Sequence, residues 1–264
     1  MRADITYVVI DTLNYELSAH ALEKSQALFP LEKSIIFSDQ TEPWNGRNVI
    51  LIEKIQSVSD YNRIVFQLLP MQLETDYALF IQYDGYVMSG DLFSDQYLHW
   101  DYIGAPWPHH SQYDVGNGGF SLRSKKLVNA VQKFLLPSDY HSAEDIVICR
   151  YLRARLEDEL GLKFAPHKIA EMFSFELKKP EFRTFGFHGI FNLPEVMLED
   201  LDILFANLKP QSVAKFFRAF RNSCNELPHD GQKLFDKYCE ENQSELLFHA
   251  KANVMKQCSK THVM

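Results

Sequence analysis

The chain has 264 residues, 46% of them hydrophobic, and a formal net charge of -8. That length and apolar content exclude global disorder, and the acidic balance excludes broad electrostatic capture of nucleic acid, which needs clustered Lys and Arg. Four cysteines, Cys149, Cys224, Cys239 and Cys258, have no CxxC spacing, so neither a zinc site nor a disulfide framework is expected. No charged-then-apolar leader pattern stands at the start and no apolar run reaches the roughly 20 residues of a bilayer span. The expectation is a soluble cytoplasmic protein, at most peripheral at the inner face of a membrane.

Along the first half, short β-branched runs alternate with amphipathic stretches, the pattern of helices covering a mainly parallel sheet. Residues 5–10 read as a buried strand ending in Asp11 and Thr12, and residues 15–28 as a helix stopped by Pro30. Residues 34–37 and 49–52 read as two short strands. A helix is expected over 57–69, with Ser57 or Ser59 at its cap and Pro70 past its end. The apolar strand 77–82 follows and runs into Tyr83-Asp84-Gly85. Ligands of open α/β sheets sit beyond the carboxyl ends of the strands, so Asp11 and Asp84 are expected to face one cleft.

Residues 89–120 are rich in Trp, Tyr, Gly and Pro, a composition typical of a site-bearing segment. Helical patterns are expected over 121–134 and 143–160, the second ended by Gly161 as C-cap. Beyond Pro194 the chain reads as all helical, with breaks near Pro210 and Pro228. The expected organisation is an α/β domain over 1–194 with a C-terminal helical extension over 195–264.

Four places carry candidate chemistry, each with an ordinary structural alternative. Asp84 between an apolar strand and Gly85 can ligate a hard divalent cation, or simply mark a turn. In Gly116-Asn117-Gly118-Gly119, low side-chain bulk lets a polar ligand reach backbone N–H groups, and Trp107 offers a flat face for a sugar ring; the alternative is a Gly-rich hairpin with a core tryptophan. Glu144 and Asp145 open a helix, either as half of a capping box with Ser142 or as a general base turned into the cleft. His188, in Phe185-Gly186-Phe187-His188-Gly189, is either a metal ligand on a loop or a packed histidine.

Together and in this order, Phe80-Ile81-Gln82-Tyr83-Asp84-Gly85, Tyr102-Ile103-Gly104-Ala105-Pro106-Trp107, Gly116 to Arg123, Glu144-Asp145-Ile146 and Phe185 to Gly189 resemble a largely uncharacterised family, a domain of unknown function grouped with glycosyltransferases of GT-A-like fold. The resemblance covers about residues 5–192. It implies a Rossmann-type mixed sheet flanked by helices, a nucleotide-sugar donor, a divalent metal (Mn2+ or Mg2+), and an acceptor site in the second half. GT-A enzymes usually carry Asp-x-Asp at the strand end; here the first position is Gln82, so Asp84 alone carries over as carboxylate ligand. His188 is similar to the late histidine that completes the metal site. The Glu-Asp pair resembles one whose aspartate acts as base in inverting members, which favours Asp145 over Glu144.

The expected activity is therefore transfer of a sugar, with a UDP-sugar as the commonest donor, to a glycan or lipid-linked glycan such as those of bacterial polysaccharide and lipopolysaccharide assembly. Asp11, Thr12, Gln82, Tyr83, Asp84, Trp107, Gly118 and Gly119 are the expected donor-binding residues, and Asp84 and His188 the metal ligands. A sugar nucleotidyltransferase and a non-catalytic carbohydrate-binding or assembly subunit are the alternatives. Val213, Phe216, Phe217 and Phe220 stand at helical spacing among Lys215, Arg218 and Arg221, so the extension is either a packed helix with a solvated basic edge or a peripheral membrane contact.

Overall fold

Six apolar or β-branched residues, Ile5–Ile10, form a strand buried along its whole length, as a central strand of a covered parallel sheet must be. The computed structural model describes residues 4–249 and divides into two compact units that meet between His188 and Gly189. The first contains β1 (Ile5–Ile10), α1 (Tyr15–Leu28), β2 (Lys33–Ser38), β3 (Val49–Leu51), α2 (Val58–Arg63), α3 (Leu69–Gln72), β4 (Tyr77–Phe80), β5 (Tyr102–Gly104), β6 (Ser121–Ser124), α4 (Lys125–Ala130), α5 (Glu144–Ile146), α6 (Arg153–Leu160), α7 (His167–Phe173), β7 (Ser174–Phe175) and β8 (Gly186–Phe187).

The main sheet has the order β3-β2-β1-β4-β6-β5. β1 to β4 are parallel, whereas β6 runs antiparallel to both β4 and β5. This is the mixed α/β sheet flanked by helices that the sequence predicts. From β1 the chain winds outward through β2 and β3, then returns to place β4 on the other side of β1. The winding reverses between β1 and β4, which makes the crevice past their carboxyl ends the topological switch point, where ligands of such sheets bind. Asp11 stands at the end of one strand and Asp84 just past the end of the other.

Three expectations change in the structure. The helix expected over 57–69 does not stop before Pro70: a π turn over Ile64–Leu68 shifts the hydrogen-bond register, and Pro70 then occupies the first turn of α3, where a missing N–H is tolerated. Ser57 does cap α2, accepting from the Asp60 N–H at 3.2 Å. Residues 121–124 are strand β6 instead of helix, because Ser121, Leu122, Arg123 and Ser124 pair with β4 on one side and Ser121 to Arg123 with β5 on the other. The helix begins only after Ser124, whose hydroxyl caps it through the Leu127 N–H. Residues 143–160 contain a second π turn, Val147–Tyr151, between α5 and α6, and Gly161 ends α6 in the left-handed region at φ +60°.

The second unit consists of short helices, α8 (Leu193–Val196), α9 (Leu201–Asn207), α10 (Pro210–Val213), α11 (Phe217–Asn225) and α12 (His229–Glu241). Phe205 gathers Phe220, Phe235 and Tyr238 around it, with ring centroids 5.8 to 6.4 Å away. Val213 and Phe220 are fully buried while Phe216 is exposed, so the apolar stripe expected as one face is divided between core and surface. Among the described residues, no helix is long and apolar enough to cross a membrane.

In the first unit the buried Tyr7 hydroxyl donates to the backbone oxygens of Ser25 at 3.1 Å and Phe29 at 2.6 Å, tying β1 to the end of α1. Tyr7→Phe deletes the donor and leaves those groups without it. The expected loss is ~1–2 kcal/mol in a urea titration, the range for a buried hydrogen bond broken on one side.

Candidate active site

The chain leaves β4 through a tight turn in which Gln82 and Gly85 exchange backbone hydrogen bonds of 2.8 and 3.0 Å. Tyr83 and Asp84 occupy the tip. The turn and the site are thus one feature: the backbone exchange fixes where the Asp84 carboxylate sits. Asp84 is buried, its Oδ1 has no hydrogen-bond partner, and that oxygen lies 3.6 Å from His188 Nε2.

His188 arrives by a separate route. Parallel pairing of β7 with β8 sets Phe175 opposite Phe187, so the residues that follow, Glu176 and His188, are neighbours. His188 Nδ1 lies 3.1 Å from Glu176 Oε1, and its Nε2 lies 3.3 Å from Gln82 Oε1. Asn117 Nδ2 approaches the same Nδ1 at 2.9 Å and also hydrogen-bonds Glu176. Burial alone would lower the His188 pKa, but the Asp84 and Glu176 carboxylates outweigh it and push it up to about 9. Burial raises Asp84, with the His188 cation pulling in the opposite direction. Glu176 falls below the usual range despite burial, because His188 and Asn117 stabilise its charge.

Glu144 and Asp145 start α5 together yet go different ways. Glu144 is buried and forms a 2.7 Å ion pair with the buried Arg123. Burial pushes Glu144 up to about 7, with Arg123 opposing the rise. Arg123 also donates to Gly118 O at 3.1 Å and Ser121 Oγ at 3.0 Å, and its guanidinium lies 3.7 Å from the Phe80 ring centroid. Asp145 is half-buried, and its two oxygens accept from the Gly118 N–H at 3.0 Å and the Ile146 N–H at 2.8 Å. The expected capping box with Ser142 is absent: Ser142 ends the preceding 3-10 turn, and Ala143 is the cap of α5 with no side-chain bond.

Residues 116–119 connect these groups. Asn117 adopts left-handed φ +61°, a conformation that Asn tolerates better than most residues. A Cβ on Gly118 would stand 2.2 Å from Glu144 Oε1, and one on Gly119 would stand 2.0 Å from His188 Nε2. Both glycines are therefore required by the protein's own carboxylate and imidazole.

Residues 48–188 match the family described as "Protein of unknown function (DUF5672)". The chain belongs to that family. It is also similar in structure to a chain described as "Crystal structure of a glycosyltransferase involved in the glycosylation of the major capsid of PBCV-1", at 11% identity and a TM-score of 0.47 over 70% of this chain and 92% of that chain. No curated protein matches.

Gln82, Asp84, Asn117, Arg123, Glu144, Asp145, Glu176 and His188 all lie within the DUF5672 segment, and Asp11 and Thr12 precede it. Asp11 accepts from the N–H groups of Leu13 and Asn14 at 2.6 and 2.8 Å and from the Ser18 hydroxyl. Thr12 Oγ1 accepts from the Ile55 N–H at 3.0 Å. Asp11 thus braces the loop after β1, and Thr12 ties that loop to the segment after β3. Trp107 is 5% exposed and belongs to the apolar core, as in the alternative of a Gly-rich hairpin with a core tryptophan. Gln82 and Tyr83 are half-buried in the turn, with the Gln82 amide donating to the Tyr61 hydroxyl at 3.2 Å.

Glu176, Asn117 and Arg123 are the site residues that the sequence reading did not single out. Glu176 has no local signal, since only the β7–β8 pairing brings it to His188. Asn117 had one: a polar residue among three glycines.

Two outcomes test this arrangement. Glu144→Gln leaves the buried Arg123 charge without its counter-charge, so unfolding should show a loss of ~3–5 kcal/mol, much of it recovered by pairing Arg123→Met with Glu144→Leu. The His188 pKa, about 9 in the folded chain, exceeds the ~6.5 of an unfolded histidine. Its pairing therefore stabilises fully below about pH 6.5, and that contribution is lost as pH rises through about 9. In chelator, the stability difference between wild type and His188→Gln should shrink across that window; a difference constant with pH would contradict a charged His188.

Proposed function

We propose that this member of the DUF5672 family is a metal-dependent glycosyltransferase that takes a sugar from a nucleoside-diphosphate donor, a uridine diphosphate sugar first among the choices. The acceptor is a hydroxyl of a glycan or lipid-linked glycan. The observation that carries the proposal is the buried, hydrogen-bond-free Asp84 Oδ1 beside His188 Nε2, just past the carboxyl end of β4 at the switch point of the sheet.

The donor set suits a divalent cation of the manganese or magnesium kind. One carboxylate oxygen without a partner and one imidazole nitrogen converge, and Glu176 can hold the Nδ1 proton so that Nε2 keeps its lone pair. Among the described residues no third His, Cys, Asp or Glu joins them, so the remaining positions would fall to diphosphate oxygens and water, as in many magnesium and manganese sites. Asp84 and His188 would hold the ion, which when bound supplies positive charge against the departing nucleoside diphosphate. Metal and nucleotide should therefore each strengthen the binding of the other.

Asp145 is the proposed general base. Its carboxylate is half-buried, oriented by two backbone N–H donors, and differs in this from Glu144, which Arg123 holds in the interior. Accepting the acceptor's hydroxyl proton as that oxygen attacks the anomeric carbon gives inversion. Gln82, Tyr83, Gly118 and Gly119 line the same place, with Asp11 and Thr12 shaping the neighbouring loop. A peripheral contact of the C-terminal helices with an anionic membrane belongs to the same proposal. It is supported by exposed Lys215, Arg218 and Arg221 in a stretch, residues 203–225, that contains no Asp or Glu.

A screen of nucleotide sugars with manganese tests the reading. Wild type should release nucleoside diphosphate from one donor in the presence of manganese, and Asp84→Ala should lose both turnover and metal-dependent stabilisation by nucleotide. Asp145→Asn should lower transfer ~100-fold or more while nucleotide affinity stays within about twofold. Pyrophosphate as product would point to nucleotidyl transfer instead. Retained anomeric configuration, read by NMR, would reject Asp145 as the base of an inverting reaction.

A further inference from the structure

A second cavity in the first unit lies next to β7. Its volume is about 410 Å³, within the ~300–1,000 Å³ of small-ligand sites. Pro106, Pro108, Phe175 and Phe182 supply apolar wall, and Phe182 is 46% exposed despite its size. Ser174 is part of the lining. It is 0% exposed, and its Oγ has no hydrogen-bond partner. A buried hydroxyl without a partner costs ~1–3 kcal/mol, which a turn of the Ser174 side chain toward a ligand hydroxyl in the cavity would remove.

The charged groups at the cavity balance one another. Lys178 and Lys179 stand against Glu171 and Glu181, so no net field selects an anion. His167 is held between Asp114, at 2.6 Å from Nδ1, and Glu171, at 3.2 Å from Nε2. An oriented imidazole, carboxylates and an orphan hydroxyl facing proline and phenylalanine walls match a ligand with one apolar face and a polar edge. A neutral sugar has that shape, with C–H groups for an aromatic ring and hydroxyls for the rim. The phosphates of a nucleotide would meet Glu171 and Glu181 as well as Lys178 and Lys179, so the site gives them no net attraction. Ser174 and Glu176 flank Phe175, so the cavity floor is two residues from the carboxylate that orients His188.

We infer that this cavity is a carbohydrate-binding subsite for neutral glycan, with the Phe182 ring stacking on a sugar and Ser174 Oγ hydrogen-bonding one of its hydroxyls. Its use as the acceptor subsite rests on the transfer reading above; its carbohydrate chemistry does not. The experiment is an array of neutral and acidic oligosaccharides, probed with the full chain in chelator without nucleotide, followed by calorimetric titration of the best ligand. Because no donor or metal is present, failure of donor turnover leaves the outcome unaffected, and failure here leaves donor turnover unaffected.

Wild type should bind neutral glycans. Phe182→Ala should weaken that binding about tenfold and Ser174→Ala about threefold, while Phe216→Ala, an exposed aromatic of the other unit, should bind as wild type does. Thermal melts of Phe182→Ala matching wild type assign its loss to the ligand contact and not to folding. No glycan bound, binding confined to acidic glycans, or undiminished affinity in Phe182→Ala or Ser174→Ala would overturn the inference.

Discussion

The ion pair between Arg123 and Glu144 is the constraint on which the rest of the first unit's site depends. Arg123 is 1% exposed on β6, and its guanidinium meets the Phe80 ring of β4, the Ser121 hydroxyl, the Gly118 carbonyl and the Glu144 carboxylate. One cation thus ties two neighbouring strands, the Gly-rich loop and the start of α5. A charge taken from water loses several kcal/mol of solvation, and only close counter-charges and hydrogen bonds offset that loss. The pair is therefore poor evidence of added stability and good evidence of fixed geometry, because small displacements of the loop or of α5 would leave a buried charge uncompensated.

That fixed geometry separates two adjacent carboxylates by environment. Glu144 is turned inward to a guanidinium that stays charged at any physiological pH, and the ion pair holds it in the interior. Asp145 is left at the cleft, with backbone donors on both oxygens and no cation bonded to it. The His188 cluster uses the opposite arrangement. There a single imidazole stands between Asp84 and Glu176, and Asp84 Oδ1 is buried without a hydrogen-bond partner.

Much of this was legible in the sequence where the signal is local. β1 and α1 have the predicted bounds, because a run of β-branched residues and a proline after a helical period are short-range signals. The turn after β4 was legible for the same reason. β6 was not: Ser121, Leu122, Arg123 and Ser124 adjoin a true helix in the same register, and only pairing on both edges makes them strand. The π turns near Pro70 and Val147 were equally hidden, since they answer to packing and leave no mark on periodicity. Trp107 shows the reverse case, a residue whose chemistry pointed to a ligand while its neighbours placed it in the core. Glu176, twelve positions before His188, becomes part of the site only through a two-residue parallel pairing.

Residues 116–119 join the His188 cluster to the carboxylate pair, and their hydrogen bonds leave this loop little conformational freedom. The Asn117 side chain reaches His188 and Glu176, while the next N–H, that of Gly118, reaches Asp145. Two consecutive residues thus face two half-sites, which the chain achieves by putting Asn117 in the left-handed region. A non-glycine residue held there costs of order 1–3 kcal/mol and persists only where its surroundings over-determine it. Here they do: Arg123 holds the Gly118 carbonyl, Asp145 the Gly118 N–H, and the Asn117 amide is fixed by Glu176 and the Phe120 N–H. Asn117 and the Gly118 N–H thereby link the His188–Glu176 pair to the Asp145 carboxylate through a single peptide unit.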